Sequence, residues 1–365
     1  MRIAVFVANF DPGGVFRINS QLVEALRRKG HQVQFISATN ATQTSEHDSE
    51  GRFSLGASST IRSLTQMRSV LMRGDFEIVI VSQLFLGLAA LLVRPWKSST
   101  AILSVEHSSL EYWKESPKIK DRVVLKLSKL FLGRVDQLVA VSRATTQSIN
   151  DQFFRMKSEA KYVPNAVLTG EETIFEGRQI QFENRQGIIF VGRLAREKRV
   201  LDVIRAYAPL VDEISDNLVI LGDGPDMESS VALVEELGLT KRVQFKGFVE
   251  NVNEYLASSK CLVLASSHEG LATVIIEGLA YGCLIVSTDC PTGPRELTKN
   301  GKYGQLVEIG DIDALSEAIK IAAGGELDYE GLAEHLLQFT FANSANEYEN
   351  LCLETIGIRK KLLTK

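Results

Sequence analysis

Short apolar runs alternate with helix-like stretches along the chain. In the first half, residues 3–7, 32–36, 77–81, 101–105, 137–141 and 161–163 read as strands. Between them, 15–29, 61–73, 84–93, 118–133 and 143–153 read as helices. A polar stretch without periodicity, 168–186, follows and reads as a linker. Alternation then restarts, with strands at 188–191, 218–221, 243–245, 261–265, 284–287 and 304–307. Helices at 200–210, 227–237, 252–257 and 273–281, and one from Ile312, fall between and after them. Strand–helix alternation with short links predicts parallel, doubly wound sheets. The predicted fold class is α/β, with two Rossmann-like domains, 1–170 and 171–344, facing a cleft. A helical tail, 345–365, belongs to neither pattern and is placed to pack back on the N-terminal domain. The run 41–60, rich in Ser and Thr, reads as a mobile loop.

The totals narrow this further. A chain of 365 residues is longer than one hydrophobic core usually serves. Cys261, Cys283, Cys290 and Cys352 form no Cys-x-x-Cys and sit in or beside apolar runs. They read as reduced, buried thiols of a cytoplasmic protein. His and Cys do not cluster at ligand spacing, so no metal site is expected. The apolar run 3–7 is too short for a secretory leader and runs into a Pro-Gly-Gly turn. The longest apolar stretch, Leu84 to Val93, is ten residues, about half of a membrane span. Residues 1–170 hold 22 basic and 14 acidic side chains, a net +8; residues 171–365 hold 19 and 31, a net −12. The basic half suggests that one domain meets an anionic surface or acceptor. No nucleic-acid partner is expected.

Candidate chemistry gathers where strands end. Glu269 and Glu277 stand eight residues apart, each followed by glycine. One follows an apolar strand and the other lies in the next helix, so the pair alone reads either as two acids facing the ligand crevice of an open α/β sheet or as a surface Glu and a helix-face Glu. The backbone N–H groups of Gly270, Leu271, Ala272 and Thr273 between them open that helix and can hold an anion. Arg193 and Lys198 leave the end of the strand 188–191; they are either fixed cations for a departing diphosphate or two solvated surface cations, and the strand end favours the first. Asp11-Pro-Gly-Gly14 is either a plain turn before a helix or a phosphate cradle. Leu221-Gly-Asp-Gly-Pro225 is better read as a close turn that packs. His107 ends a strand; it is either structural or a donor to a sugar or phosphate oxygen. Thr292 and Glu296 suit a capping box, while Pro294 and Arg295 suit a cleft rim; spacing alone does not decide. Asp311-Ile-Asp313 is better explained by helix capping than by a metal. The segment 113–134, from Trp113 to Arg134, carries seven Lys or Arg and two acids, with Val123, Val124, Leu127, Leu130 and Phe131 on one face. It is either a surface helix with a core-facing stripe or a helix that lies on an anionic membrane.

These motifs together resemble the retaining glycosyltransferases of the GT-B fold, in the large family 4 group. The resemblance rests on Glu269-x7-Glu277, Gly192-Arg193-Leu194 with Lys198, Leu221-Gly-Asp-Gly-Pro225, Val163-Pro-Asn-Ala166 and the Gly13-Gly14 loop. It implies a UDP-sugar donor, no metal cofactor, and a hexose or N-acetylhexosamine moved to a glycan or lipid-linked acceptor. The setting implied is surface polysaccharide or glycolipid synthesis, with the protein cytoplasmic and peripheral on the inner membrane face. It implies that Glu269 bonds donor-sugar hydroxyls and that Glu277 holds the ribose. Arg193 and Lys198 would grip the diphosphate, aided by the N–H groups of Leu271 to Thr273 and by Gly14. His107 would touch the sugar near the reacting centre. The family often has glycine where Arg199 stands, and proline or glycine where Ala272 stands, which questions the backbone geometry at both points. A sugar-nucleotide 2-epimerase and a non-catalytic partner subunit are the alternatives. The epimerase would need more cleft acids and histidines in the first domain than His107 and Glu106.

Overall fold

The structure, a computed structural model, describes residues 1–11, 13–39, 47–48, 51–59, 61–73, 76–95, 97–172, 185–325 and 327–363. Two compact units make up the chain: unit 1 is Met1–Val167 with Phe339–Lys365, and unit 2 is Leu168–Gln338. The sequence places these divisions at 170/171 and 344/345. Most of the expected linker and Pro12 lie outside the described residues.

Unit 1 carries strands β1 (Arg2–Val7), β2 (Gln32–Thr39), β3 (His47–Asp48), β4 (Arg52–Ala57), β5 (Ile78–Ser82), β6 (Ala101–Glu106), β7 (Gln137–Ala140) and β8 (Lys161–Tyr162). Their order in the sheet is β3-β4-β2-β1-β5-β6-β7-β8. All pairs are parallel except β3 with β4. Strands β5, β6 and β7 are buried along their whole length. Helices cover both faces of such a sheet, so its strands read as unbroken apolar runs. Helices α1 (Gly14–Arg28), α2 (Leu64–Met72), α3 (Leu84–Val93), α4 (Leu110–Glu115), α5 (Ile119–Phe131) and α6 (Arg143–Gln152) flank it.

The run 41–60 departs from expectation. Its residues 41–46, 49–50 and 60 lie outside the described set, but β4 is a strand in register with β2, Ile36 opposite Phe53. Only Leu55 and Ala57 of β4 are buried. A half-exposed strand near a sheet edge needs few apolar residues, so its composition resembles a loop. The short helix α4 is also absent from the apolar pattern. Ser109 caps it by accepting from the Tyr112 N–H at 3.2 Å, and it buries Leu110 and Trp113.

Unit 2 carries β9 (Ile188–Val191), β10 (Leu218–Leu221), β11 (Val243–Gly247), β12 (Cys261–Leu264), β13 (Leu284–Thr288) and β14 (Gly304–Val307), in the order β11-β10-β9-β12-β13-β14. Every pair is parallel. Its helices are α7 (Val200–Tyr207), α8 (Met227–Glu236), α9 (Val252–Ser258), α10 (Thr273–Ala280), α11 (Pro294–Leu297), α12 (Ile312–Gly324) and α13 (Leu332–Leu337). Strand β9 has β10 on one side and β12 on the other, so the connections from β9 and β12 part in opposite directions. That is a topological switch point, where open α/β sheets bind ligands.

The last helix, α14 (Phe341–Leu363), returns to unit 1. The Val167 N–H donates to the Phe339 carbonyl at 2.8 Å, and Ser344 Oγ donates to the Pro164 carbonyl at 2.8 Å. At the far end, Arg359 donates twice to the Ser98 carbonyl, at 3.0 and 2.8 Å. Tyr348, Leu351, Cys352 and Ile356 are buried along its length.

Candidate functional site

Two turns at the switch point of unit 2 interlock. After β9, Gly192-Arg193-Leu194 leads into a 3-10 turn, Arg196–Lys198. After β10, Gly222-Asp-Gly224 folds against it. The Gly192 N–H donates to the Leu221 carbonyl at 3.0 Å, Leu194 N–H to the Asp223 carbonyl at 2.9 Å, and Asp226 N–H to the Leu194 carbonyl at 2.9 Å. A Cβ at Gly222 would stand 1.9 Å from the Gly192 carbonyl oxygen, and one at Gly224 would stand 2.3 Å from that of Leu194. Close packing therefore accounts for Gly222 and Gly224, as their spacing suggests.

The loop after β12 brings Glu269 to this turn. Lys198 Nζ donates to both Glu269 carboxylate oxygens, at 2.6 and 2.8 Å. Ser266 Oγ donates to Oε1 at 2.6 Å. The Ser267 N–H and Oγ donate to the Glu197 carbonyl at 2.8 and 3.3 Å, which ties the two loops together. Thr292 Oγ1 donates to the Glu269 carbonyl. Thr292 is therefore not the cap of α11; that position is Gly293, with no side-chain hydrogen bond. Arg295 is exposed and pairs with Asp289.

Helix α10 begins directly after this loop. Its cap residue, Ala272, is left-handed at φ 57, and no side chain caps the helix. Glu277 is buried four residues inside it. An uncapped helix N-terminus presents N–H groups and a positive dipole end. The positions at which the sequence departs from the family pattern are both left-handed, Arg199 at φ 50 and Ala272 at φ 57. That conformation is easy for glycine and costs other residues on the order of 1 kcal/mol or more. The geometry persists here without glycine, and Arg199 is held by an ion pair with Asp202.

The two expected cations go to different partners. Lys198 keeps 24% of its side chain exposed and meets Glu269; Arg193 is 63% exposed and meets Glu197. Burial works against the Glu197 charge, but the hydrogen bond from Arg193 and the Arg193 and Lys198 charges hold its carboxyl below the usual range. Cys290 lies near Glu269, and burial, with help from the Glu269 charge, pushes its thiol up to about 12. It stays protonated and is no nucleophile. Asp311 caps α12, accepting from the Ala314 N–H at 2.9 Å. Among the described residues, no group of three His, Cys, Asp or Glu is arranged to hold a metal ion.

Gly14 and His107 lie in unit 1. Gly14 opens α1, which has no side-chain cap, and a Cβ there would meet nothing within 4 Å. Packing does not demand glycine at that point. His107 follows β6. Glu106 before it is buried and accepts from the Leu84 N–H at 3.0 Å, Ser108 N–H at 2.7 Å and Trp113 Nε1 at 3.3 Å. Burial pushes Glu106 up to about 7 against those three bonds, and pushes His107 down to about 4. The imidazole is therefore neutral near pH 7. Its Nε2 is buried and has no hydrogen-bond partner among the described residues.

Sequence reasoning did not single out Ser266 or Thr292 as partners of Glu269. Hydroxyl residues carry no spacing signal, and Thr292 is 23 residues away along the chain.

Comparison with known proteins adds to this geometry. Residues 173–332 match a family model described as glycosyl transferases group 1, and residues 12–170 match one described as glycosyltransferase family 4. An uncharacterized glycosyltransferase of Methanocaldococcus jannaschii, MJ1059, is 29% identical over 204 residues, 54% of this chain. The chain spans about half (50%) of that relative's length. A Campylobacter jejuni relative is 26% identical over 348 residues, covering 89% of this chain and 90% of its own. Its name is GalNAc-alpha-(1->4)-GalNAc-alpha-(1->3)-diNAcBac-PP-undecaprenol alpha-1,4-N-acetyl-D-galactosaminyltransferase. Among solved structures, the pneumococcal O-GlcNAc transferase GtfA in complex with UDP and GlcNAc superposes with a TM-score of 0.75 at 11% identity. That match covers 98% of this chain and 99% of GtfA.

Proposed function

The chain belongs to the group 1 and family 4 glycosyltransferases, and from that premise we propose that it moves a hexose or N-acetylhexosamine from a UDP-sugar to a glycan or lipid-linked acceptor, retaining anomeric configuration. The observation that carries this reading is the joining of Lys198, Glu269 and Ser266 at the switch point, beside the uncapped start of α10. Lys198 and Arg193 grip the diphosphate, helped by the N–H groups of Gly270, Leu271, Ala272 and Thr273. Glu269 bonds the sugar hydroxyls, and Glu277 holds the ribose. In unit 1, the buried, unpartnered Nε2 of His107 supports a role for that residue in bonding a sugar oxygen. Fixed cations and helix N–H groups stabilise the charge on the leaving diphosphate without a metal. The leaving phosphate takes the acceptor proton as the new glycosidic bond forms on the same face.

A thermal-shift panel of UDP, GDP, ADP, NAD and common nucleotide sugars tests this. A ligand bound only by the folded state raises the midpoint by mass action. UDP and one UDP-sugar are expected to raise it equally with and without EDTA. A rise with GDP or ADP compounds alone would overturn the donor assignment, and no rise with any nucleotide would sink the reading.

The acceptor side rests on α5. No helix among the described residues is long and apolar enough to cross a membrane. The apolar stripe of α5 faces outward: Ile119 is 70% exposed and Val123 48%, with Leu127, Leu130 and Phe131 exposed beside them. The sequence grouped Val124 with this face, but Val124 packs against the core and Leu125 is buried. Lys118, Lys120, Arg122 and Lys126 stand exposed among the apolar residues. We infer that this face rests on an anionic membrane surface. Replacing Val123 and Leu127 by Glu is expected to cut co-sedimentation with phosphatidylserine vesicles at least about fivefold, with neutral vesicles binding weakly throughout. Equal sedimentation of wild type with both vesicle types would count against it.

A further inference from the structure

Glu269 is buried and is gripped along its whole length. Lys198 holds both carboxylate oxygens, Ser266 holds Oε1, and Thr292 holds the carbonyl. The Ser266 carbonyl in turn accepts from Thr288 Oγ1 at 2.6 Å, and Ser266 itself is 1% exposed. Ser267 ties this turn to the carbonyl of Glu197, the residue before Lys198. The lysine backbone is thus fastened to the acid's own loop, which leaves the lysine side chain as the part that moves.

Under the reading above, on which this inference rests, Lys198 serves two anions. A donor diphosphate competes with Glu269 for the one ammonium. A buried carboxylate that loses its cation turns toward another donor unless one is already in place. Ser266 is in place. It is short, enclosed, and fixed through its own backbone. We propose that Ser266 is a positioning residue, which keeps the Glu269 carboxylate aimed at the donor sugar when Lys198 turns to the diphosphate.

The test compares wild type with Ser266→Ala, Ser266→Thr and Ser266→Cys. UDP affinity is measured by calorimetry. Turnover is measured as hydrolysis of whichever UDP-sugar gives the largest thermal shift, with no acceptor present. Ser266→Ala is expected to bind UDP within about twofold of wild type while kcat falls about tenfold at little-changed KM. Ser266→Thr keeps the hydroxyl and is expected to recover most of the rate. Ser266→Cys keeps the volume but donates weakly, so it should resemble Ser266→Ala, and it replaces that variant if alanine does not fold. A wild-type kcat in Ser266→Ala, with wild type binding UDP, overturns this inference and leaves the functional reading standing. A parallel loss of UDP affinity and kcat, unrescued by threonine, also overturns it, because that marks a loosened loop. Wild type that neither binds UDP nor hydrolyses any UDP-sugar overturns both.

Discussion

Glu269→Gln is expected to lower transfer about 10²–10³-fold while UDP binds at least as tightly as to wild type. Glutamine keeps the shape but loses the charge. Two consequences follow with opposite signs. On the proposed reading the donor sugar loses an anionic acceptor for its hydroxyls, and charge-assisted hydrogen bonds are roughly twice as strong as neutral ones. The diphosphate gains, because Lys198 no longer has a carboxylate at 2.6 Å to leave. Glu269→Ala should abolish transfer as well and still fold. Initial rates of UDP-sugar consumption, paired with UDP calorimetry on the same samples, read both effects. Unchanged transfer would sink the site assignment, and a large loss of UDP affinity would show that Glu269 itself supports the nucleotide.

Gly222→Ala is expected to destabilise unit 2 by about 3–5 kcal/mol, a large share of the 5–15 kcal/mol typical of a domain. Gly222 sits at φ 133, a conformation that alanine adopts only under strain. The added Cβ would also press on backbone, 1.9 Å from the Gly192 carbonyl oxygen, where no side chain can step aside. Relief requires the β9 and β10 turns to part, which breaks the bonds that place Arg193 and Lys198. Urea denaturation checks the stability, and Gly14→Ala is the control, because a Cβ there meets nothing. Equal midpoints for the two variants would show that the interlocked turns carry little of the stability.

How much of this was legible depended on burial. Strands enclosed on both faces, such as β5 and β6, declare themselves as apolar runs. Strand β4 does not, because one side of it meets solvent and its Arg52, Ser54 and Gly56 look like loop residues. Strand ends and glycines mark a crevice in the sequence, and of the residues they single out the structure brings Lys198 and Glu269 together. What chain distance hides is pairing. Lys198 and Glu269 are 71 residues apart, and nothing in either neighbourhood says that the lysine turns to the acid while Arg193 turns to Glu197. The outward stripe of α5 was hidden for a different reason. Helical spacing shows that Val123 and Leu127 share a side, but only the packing of Val124 and Leu125 shows which side faces solvent.

The return of α14 sets an order of assembly. Unit 1 gives up the chain at Val167 and takes it back at Phe339, through neighbouring backbone that is hydrogen-bonded. Unit 2 is thus an insertion within unit 1. On a ribosome, every residue of unit 2 emerges before the helix that brings Arg359 to the Ser98 carbonyl. The later half of the sequence can finish folding while the earlier half still waits for its last helix.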